Sequence, residues 1–231
     1  MAGVRKRFAT LAALLPLLAG LPLGATPITI SFLANNLQNV VLPYPPTGSV
    51  AHSNYIDFNR TTINLDGGIF SISSGSGADL SCVSTGGATC SSGATYGLAV
   101  ANNRINVGEW LVLTLLNPSA YTAKITGFRV TNFTGTETGA YYINSPNAGF
   151  NPIGGAGEVT FRASGGTTIS IPSTAFTHFS LGVVSGNYVL AQIYIDLNAN
   201  PPPPVPEPPV YSLISLGLLT LGVAARHRRQ P

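Results

Sequence analysis

The chain has 231 residues, enough for one sizeable domain or two small ones. Only 8% of residues are charged, against about 25% in an ordinary globular protein, while aromatics hold at 9%. That pairing excludes a charge-rich disordered chain and a heptad coiled coil, and glycines with no period of three exclude collagen. The formal net charge of +3 belongs to the two ends. Residues 26–200 hold five Lys/Arg (Arg60, Arg104, Lys124, Arg129, Arg162) against seven Asp/Glu, a net of −2. A nucleic-acid binder needs basic side chains clustered on one face, and this body has no such run.

Residues 1–25 read as a secretory signal. Arg5, Lys6 and Arg7 form a positive start, Phe8 to Leu21 is an apolar run, and small residues at Gly20, Gly24 and Ala25 place cleavage near Ala25. Pro16 and Pro22 interrupt the run, which argues against an uncleaved anchor helix; Leu23 at the −3 position is larger than the small residue usual there. The expected partners at this step are the export translocon and signal peptidase.

Residues 26–200 read as β throughout. Ile28, Ile30 and Phe32 alternate with Thr29 and Ser31, the period of two of a half-buried strand. Similar runs are 55–58, 61–65, 69–73, 96–100, 110–116, 123–133, 140–144, 158–162, 167–171, 176–183 and 188–197. Gly67-Gly68, Gly165-Gly166 and Ser185-Gly186-Asn187 are expected turns. No stretch has helical periodicity of useful length. Many short strands with regular turns predict an antiparallel β-sandwich or jelly roll with one core.

Cys82 and Cys90 lie eight residues apart in Ser/Gly/Thr-rich sequence. In an exported chain with two cysteines a disulfide is the expectation, contributing about 2.5 kcal/mol by closing that loop. Two thiols with no neighbouring His do not make a zinc site, so no metal or cofactor is expected. The chain has no G-x-S-x-G elbow, no H-E-x-x-H, no Walker sequence and no dinucleotide fingerprint. The body has two histidines, His52 and His178, and His178 sits in a strand pattern with Phe176 and Ser180. Glu109 and Glu158 are the carboxylates that a glycosidase would pair, although each follows a glycine at a strand start. Asp57, Asp66 and Asp196 are oxygen donors for Ca²⁺ without the spacing of a calcium loop.

The binding features are aromatic and hydroxyl groups. Tyr44, Tyr96, Trp110, Tyr141 and Tyr142 can stack on sugar rings where exposed. Tyr141 and Tyr142, being adjacent on a strand, point to opposite sheet faces, and Trp110 opens an apolar strand expected in the core. Thr134, Thr136 and Thr138 share one strand face, but one rung without internal repeats reads as a β-edge rather than an ice-binding ladder. Asn59-Arg60-Thr61 and Asn132-Phe133-Thr134 match the glycosylation acceptor pattern.

The remainder of the chain has three parts in order. Residues 201–209 form a proline-rich spacer containing Pro206-Glu207-Pro208. Residues 210–225 are apolar and uncharged, and as a helix would span about 24 Å at 1.5 Å per residue, short but adequate where arginines snorkel and the bilayer thins. Residues 226–231 carry Arg226, Arg228 and Arg229, which the positive-inside rule keeps cytoplasmic. The Pro-Glu-Pro motif, short Leu/Gly-rich segment and arginines together resemble the PEP-CTERM sorting signal of exopolysaccharide-producing Gram-negative bacteria. That resemblance implies recognition of Pro206, Glu207 and Pro208 by a membrane protease or transpeptidase of the exosortase type, which would release or transfer the body. Pro209, His227 and Gln230-Pro231 depart slightly from the pattern.

A second, weaker resemblance lies in the body. Gly97-Leu98-Ala99-Val100, Asn103 to Ile105, and Glu109-Trp110-Leu111-Val112-Leu113-Thr114-Leu115 are similar to a pattern in extracellular PEP-CTERM proteins with jelly-roll bodies, and the closing pair of strands over Phe176–Leu197 fits such a body. The expectation is therefore a non-enzymatic, exported surface or matrix protein, structural or weakly binding exopolysaccharide. The alternative is a secreted polysaccharide-active hydrolase.

Overall fold

The computed structural model describes residues 25–32, 47–83, 97–102, 104–133, 137–146, 149–162 and 165–201. The leader up to Gly24, Cys90, Tyr44, Tyr96, Thr134, Thr136, Pro206-Glu207-Pro208, the apolar segment 210–225 and the three terminal arginines lie outside these residues. The chain divides after Ala199 into two units; of the second, only Asn200 and Pro201 are described. Among the described residues no helix is long and apolar enough to cross a membrane.

In chain order the strands are β1 (Thr26–Ser31), β2 (Val50–Ala51), β3 (Tyr55–Asp57), β4 (Thr62–Leu65), β5 (Phe70–Ser74), β6 (Leu80–Val83), β7 (Leu98–Val100) and β8 (Ile105–Asn106). Then follow β9 (Trp110–Leu115), β10 (Tyr121–Phe133), β11 (Thr138–Ile143), β12 (Val159–Arg162), β13 (Gly165–Phe176), β14 (His178–Ser185) and β15 (Asn187–Ala199). They form two antiparallel sheets. The larger, sheet A, runs β13-β10-β15-β7-β6-β3-β2, with β1 and β8 also pairing β15; sheet B runs β12-β11-β14-β9-β5-β4. The pairings from β8 onward are nested: β8 with β15, β9 with β14, β10 with β13, β11 with β12. Successive pairs alternate between the sheets, so the chain crosses the core at nearly every turn.

Alternation decides which side chains meet. Ile30, Ile125, Phe128, Ile193 and Ile195 from sheet A and Phe70, Leu113, Tyr141, Phe179 and Leu181 from sheet B join one buried apolar cluster. Each such side chain contributes about 1.5–3 kcal/mol on burial. Aromatic rings bridge the sheets: Phe128 lies 5.6 Å edge-on from Tyr141, Phe70 stacks 6.2 Å from Phe176, and Phe161 lies 5.9 Å from Tyr188. The wholly buried Tyr188 of β15 donates its hydroxyl to the Gly182 carbonyl of β14 at 2.6 Å, tying sheet to sheet. Burial pushes its phenol well above the ordinary value of 10.0.

Several expectations need correction. Gly165 and Gly166 are not a turn; they open β13, where Gly165 pairs with Phe133. The run 176–183 is not one strand. Phe176 closes β13 in sheet A, the chain bends at Thr177, and His178 opens β14 in sheet B. The bend is held by Asn144, whose side-chain oxygen accepts from the Thr177 amide at 3.0 Å while its amide donates to the Ala175 carbonyl at 3.0 Å. The last two strands do not pair with each other, because β14 and β15 lie in opposite sheets. Ser185-Gly186-Asn187 is the expected turn, with Gly186 at φ +79°, but it carries the chain between sheets. Strands β2, β6 and β8 were not foreseen.

Candidate functional site

The two sheets present unlike outer faces. On sheet A, β15 alternates Ile193, Ile195 and Leu197 inward with Gln192, Tyr194 and Asp196 outward. Tyr194 stands opposite Thr29 of β1 on one side and Gly127 of β10 on the other. Gly127 is fixed by its neighbour strand: a Cβ there would fall 2.6 Å from the Ile169 carbonyl oxygen of β13. The Tyr194 hydroxyl donates to the Gln192 side-chain oxygen at 2.9 Å. One row along, Gln192 faces Arg129, which in turn faces Thr168 of β13. In the other direction Asp196 faces Lys124. All of these side chains are half-exposed or exposed. Further along the same sheet face, Val83, Ala99 and Val189 form a small buried cluster.

The outer face of sheet B is covered. The segment from Phe150 to Glu158 folds over it. Phe150 packs on Tyr142 with ring centroids 4.9 Å apart, and a Cβ on Gly182 of β14 would lie 3.0 Å from Pro152, 3.2 Å from Trp110 and 3.4 Å from Ile153. The segment is closed on itself: Asn151 accepts from the Ile153 amide at 3.0 Å, the Glu158 carboxylate accepts from the Gly154 amide, and the Glu158 amide donates to the Gly155 carbonyl at 3.1 Å. Trp110 lies over Gly75, whose missing side chain makes room for the indole. Trp110 is half-buried on this outer face rather than in the core between the sheets. Two polar atoms are buried here without a hydrogen-bond partner, the indole Nε1 of Trp110 and the hydroxyl of Ser180.

The other candidates fall as follows. Tyr141 is buried between the sheets and Tyr142 lies on the outer face, the opposite orientations expected of neighbours. His178 shares the outer face with Ser180 but not with Phe176, and its Nδ1 lies 3.3 Å from the Thr177 hydroxyl. His52 is exposed and stacks on Tyr55 at 4.3 Å. Glu109 closes the β8–β9 turn, accepting from the amide and side chain of Asn106 at 2.8 and 3.0 Å. Glu158 closes the covering segment just described, so each candidate glycosidase carboxylate serves its own turn. Asp57 accepts from the Asn59 amide at 2.8 Å on β3's end, Asp66 sits in a single 3₁₀ turn after β4 with its carboxyl pKa raised by burial, and Asp196 is on β15. Among the described residues no three His, Cys, Asp or Glu side chains come together. Cys82 is wholly buried in β6.

Tyr194 was not singled out from the sequence. Its signal is the strict alternation in Gln192-Ile193-Tyr194-Ile195-Asp196, which places an aromatic in the polar phase of a strand. No protein-family model matches this chain, and no curated protein matches it.

Proposed function

We propose that this chain is an exported protein of the cell surface or extracellular matrix, sorted by an exosortase-type enzyme, whose body makes non-catalytic contact with exopolysaccharide. The sorting half of this reading rests on the sequence order of Pro206-Glu207-Pro208, the apolar segment 210–225 and Arg226, Arg228 and Arg229. The contact half rests on one observation: a half-exposed tyrosine, Tyr194, among polar neighbours on the outer face of sheet A, on a body with little charge elsewhere. An aromatic ring flanked by amide, hydroxyl and guanidinium groups matches the alternating apolar and hydroxyl surfaces of a sugar. The nested pairing of β8–β15 is the order of a jelly roll, which supports the finer fold expected of such bodies. The disulfide between Cys82 and Cys90 belongs to the same reading of an exported chain.

The test is the intact mass of the protein recovered from outside its native host, without reductant. The expected product starts near Thr26, ends near Pro206–Pro208 and lacks two thiol protons. A recovered chain that retains residues 210–231 in a host with the sorting enzyme overturns the sorting reading. Release of reducing ends from matrix polysaccharide, lost in Glu109→Gln or Glu158→Gln, would replace the matrix reading with the hydrolase one.

A further inference from the structure

We infer that the open face of sheet A is a binding site for a carboxylate-bearing, uronic-acid type polysaccharide, with Tyr194 as its stacking platform and Arg129 as its carboxylate receptor. The inference deepens the contact reading above and rests on it.

The argument is one of charge placement. Strands β1, β10, β13 and β15 carry two cations, Lys124 and Arg129, and one acid, Asp196, among all their residues. This surface is therefore net positive on a body that is net negative. The register sorts the three charges. Lys124 stands opposite Asp196, an acid one strand spacing away. Arg129 stands between Gln192 and Thr168, neither of them charged, and its guanidinium lies near Gly166 and the Thr131 methyl. Asp196 is four residues further along β15 than Gln192, roughly 14 Å at the rise of a strand. Arg129 is thus the cation on this surface whose charge is left for a ligand. A planar guanidinium is suited to a carboxylate because its paired N–H groups match the two oxygens.

The neighbouring groups fit a sugar ring between carboxylates. Tyr194 lies one row, roughly 7 Å, from Arg129. Its hydroxyl occupies the Gln192 side-chain oxygen, which leaves the Gln192 NH₂ group to donate outward. Thr29 stands opposite Tyr194 on one flank and supplies a hydroxyl-bearing neighbour. Two cations in four strands are too few for a nucleic acid or an anionic membrane, which need a cluster.

The test uses the full-length chain in detergent micelles and four probes: polygalacturonate, dextran, dextran sulfate and vesicles containing phosphatidylserine. Polygalacturonate binding is expected, weakening as salt rises, with Arg129→Gln and Tyr194→Ala each costing about tenfold in affinity and Lys124→Gln much less. Equal binding of dextran, unmoved by Arg129→Gln, overturns the acidic class while leaving the glycan-contact reading standing. Stronger binding of dextran sulfate or of vesicles, unmoved by Tyr194→Ala, overturns the site as a sugar platform. Binding of none of the four overturns the inference, and the mass of the exported product still decides the sorting reading independently. Unchanged thermal unfolding of the variants shows that lost affinity is not lost folding.

Discussion

The outer faces of the two sheets start from the same strand alternation and end differently. Sheet A leaves Lys124 exposed and Gln192, Tyr194 and Arg129 half-exposed, and the Tyr194 hydroxyl meets the Gln192 side chain. Sheet B hides Trp110, Tyr142 and Ser180 beneath Phe150, Pro152 and Ile153, and leaves two polar atoms unsatisfied. A face that is covered adds apolar contact to the fold but must silence every donor beneath the cover. A face left open adds little stability and keeps its hydrogen-bonding capacity. The difference separates a surface used for folding from one free to bind.

That contrast can be broken by substitution. Trp110→Ala on the covered face should lower unfolding free energy by about 2–4 kcal/mol, while Tyr194→Ala on the open face should change it by about 0.5 kcal/mol. Urea midpoints of the two variants decide the matter, and equal losses would mean that the open face is structural too. Between the faces, Tyr188→Phe removes the hydrogen bond to Gly182 and should cost about 0.5–1.5 kcal/mol, again read from urea unfolding.

Alkaline titration sharpens the same point. The folded state holds the Tyr188 phenol well above its ordinary value, so from about pH 10 the unfolded chain releases a proton that the folded chain keeps. The unfolded state then binds fewer protons, and stability falls with rising pH by about 1.4 kcal/mol per unit until the folded pKa is passed. Thermal melts between pH 9 and 11, at roughly half-unit steps, should show this loss in the native chain and less of it in Tyr188→Phe. The smallest effect is expected from Ser180→Ala. Removing an unsatisfied buried hydroxyl should leave stability unchanged or raise it by up to about 1 kcal/mol. A clear loss in a differential melt would show that the hydroxyl has a partner, such as a buried water, under the cover.

Much of this architecture is legible in the chain, for a physical reason. Period-two alternation such as Ile28, Ile30, Phe32 records burial on one face, and burial on one face is what a sandwich strand has. Alternation carries no information about which sheet a strand joins, so the separation of β14 from β15 was invisible. The break at Thr177 was equally hidden, because Asn144, 33 residues away, makes it. Two-residue strands such as β2 and β8 are too short to show a period. The candidate site was half legible. Adjacency shows that Tyr141 and Tyr142 face opposite ways but not which one faces out, and an apolar strand suggests the core for Trp110, which lies on the outer face. Tyr194 was passed over because Tyr188–Leu197 reads as apolar when the polar phase of its alternation is ignored.

The register Thr26↔Leu197 has a consequence for the order of events in time. Strand β15 is the last of the body to be synthesised, yet it pairs with β1, β7, β8 and β10. The first strand therefore waits for the last, across nearly the whole body, and contacts of such long sequence separation form slowly. A chain threaded amino end first through a narrow passage would stay unfolded until Ala199 had cleared it. In such a passage the topology would act as a timer, deferring closure of the sandwich until transit was complete.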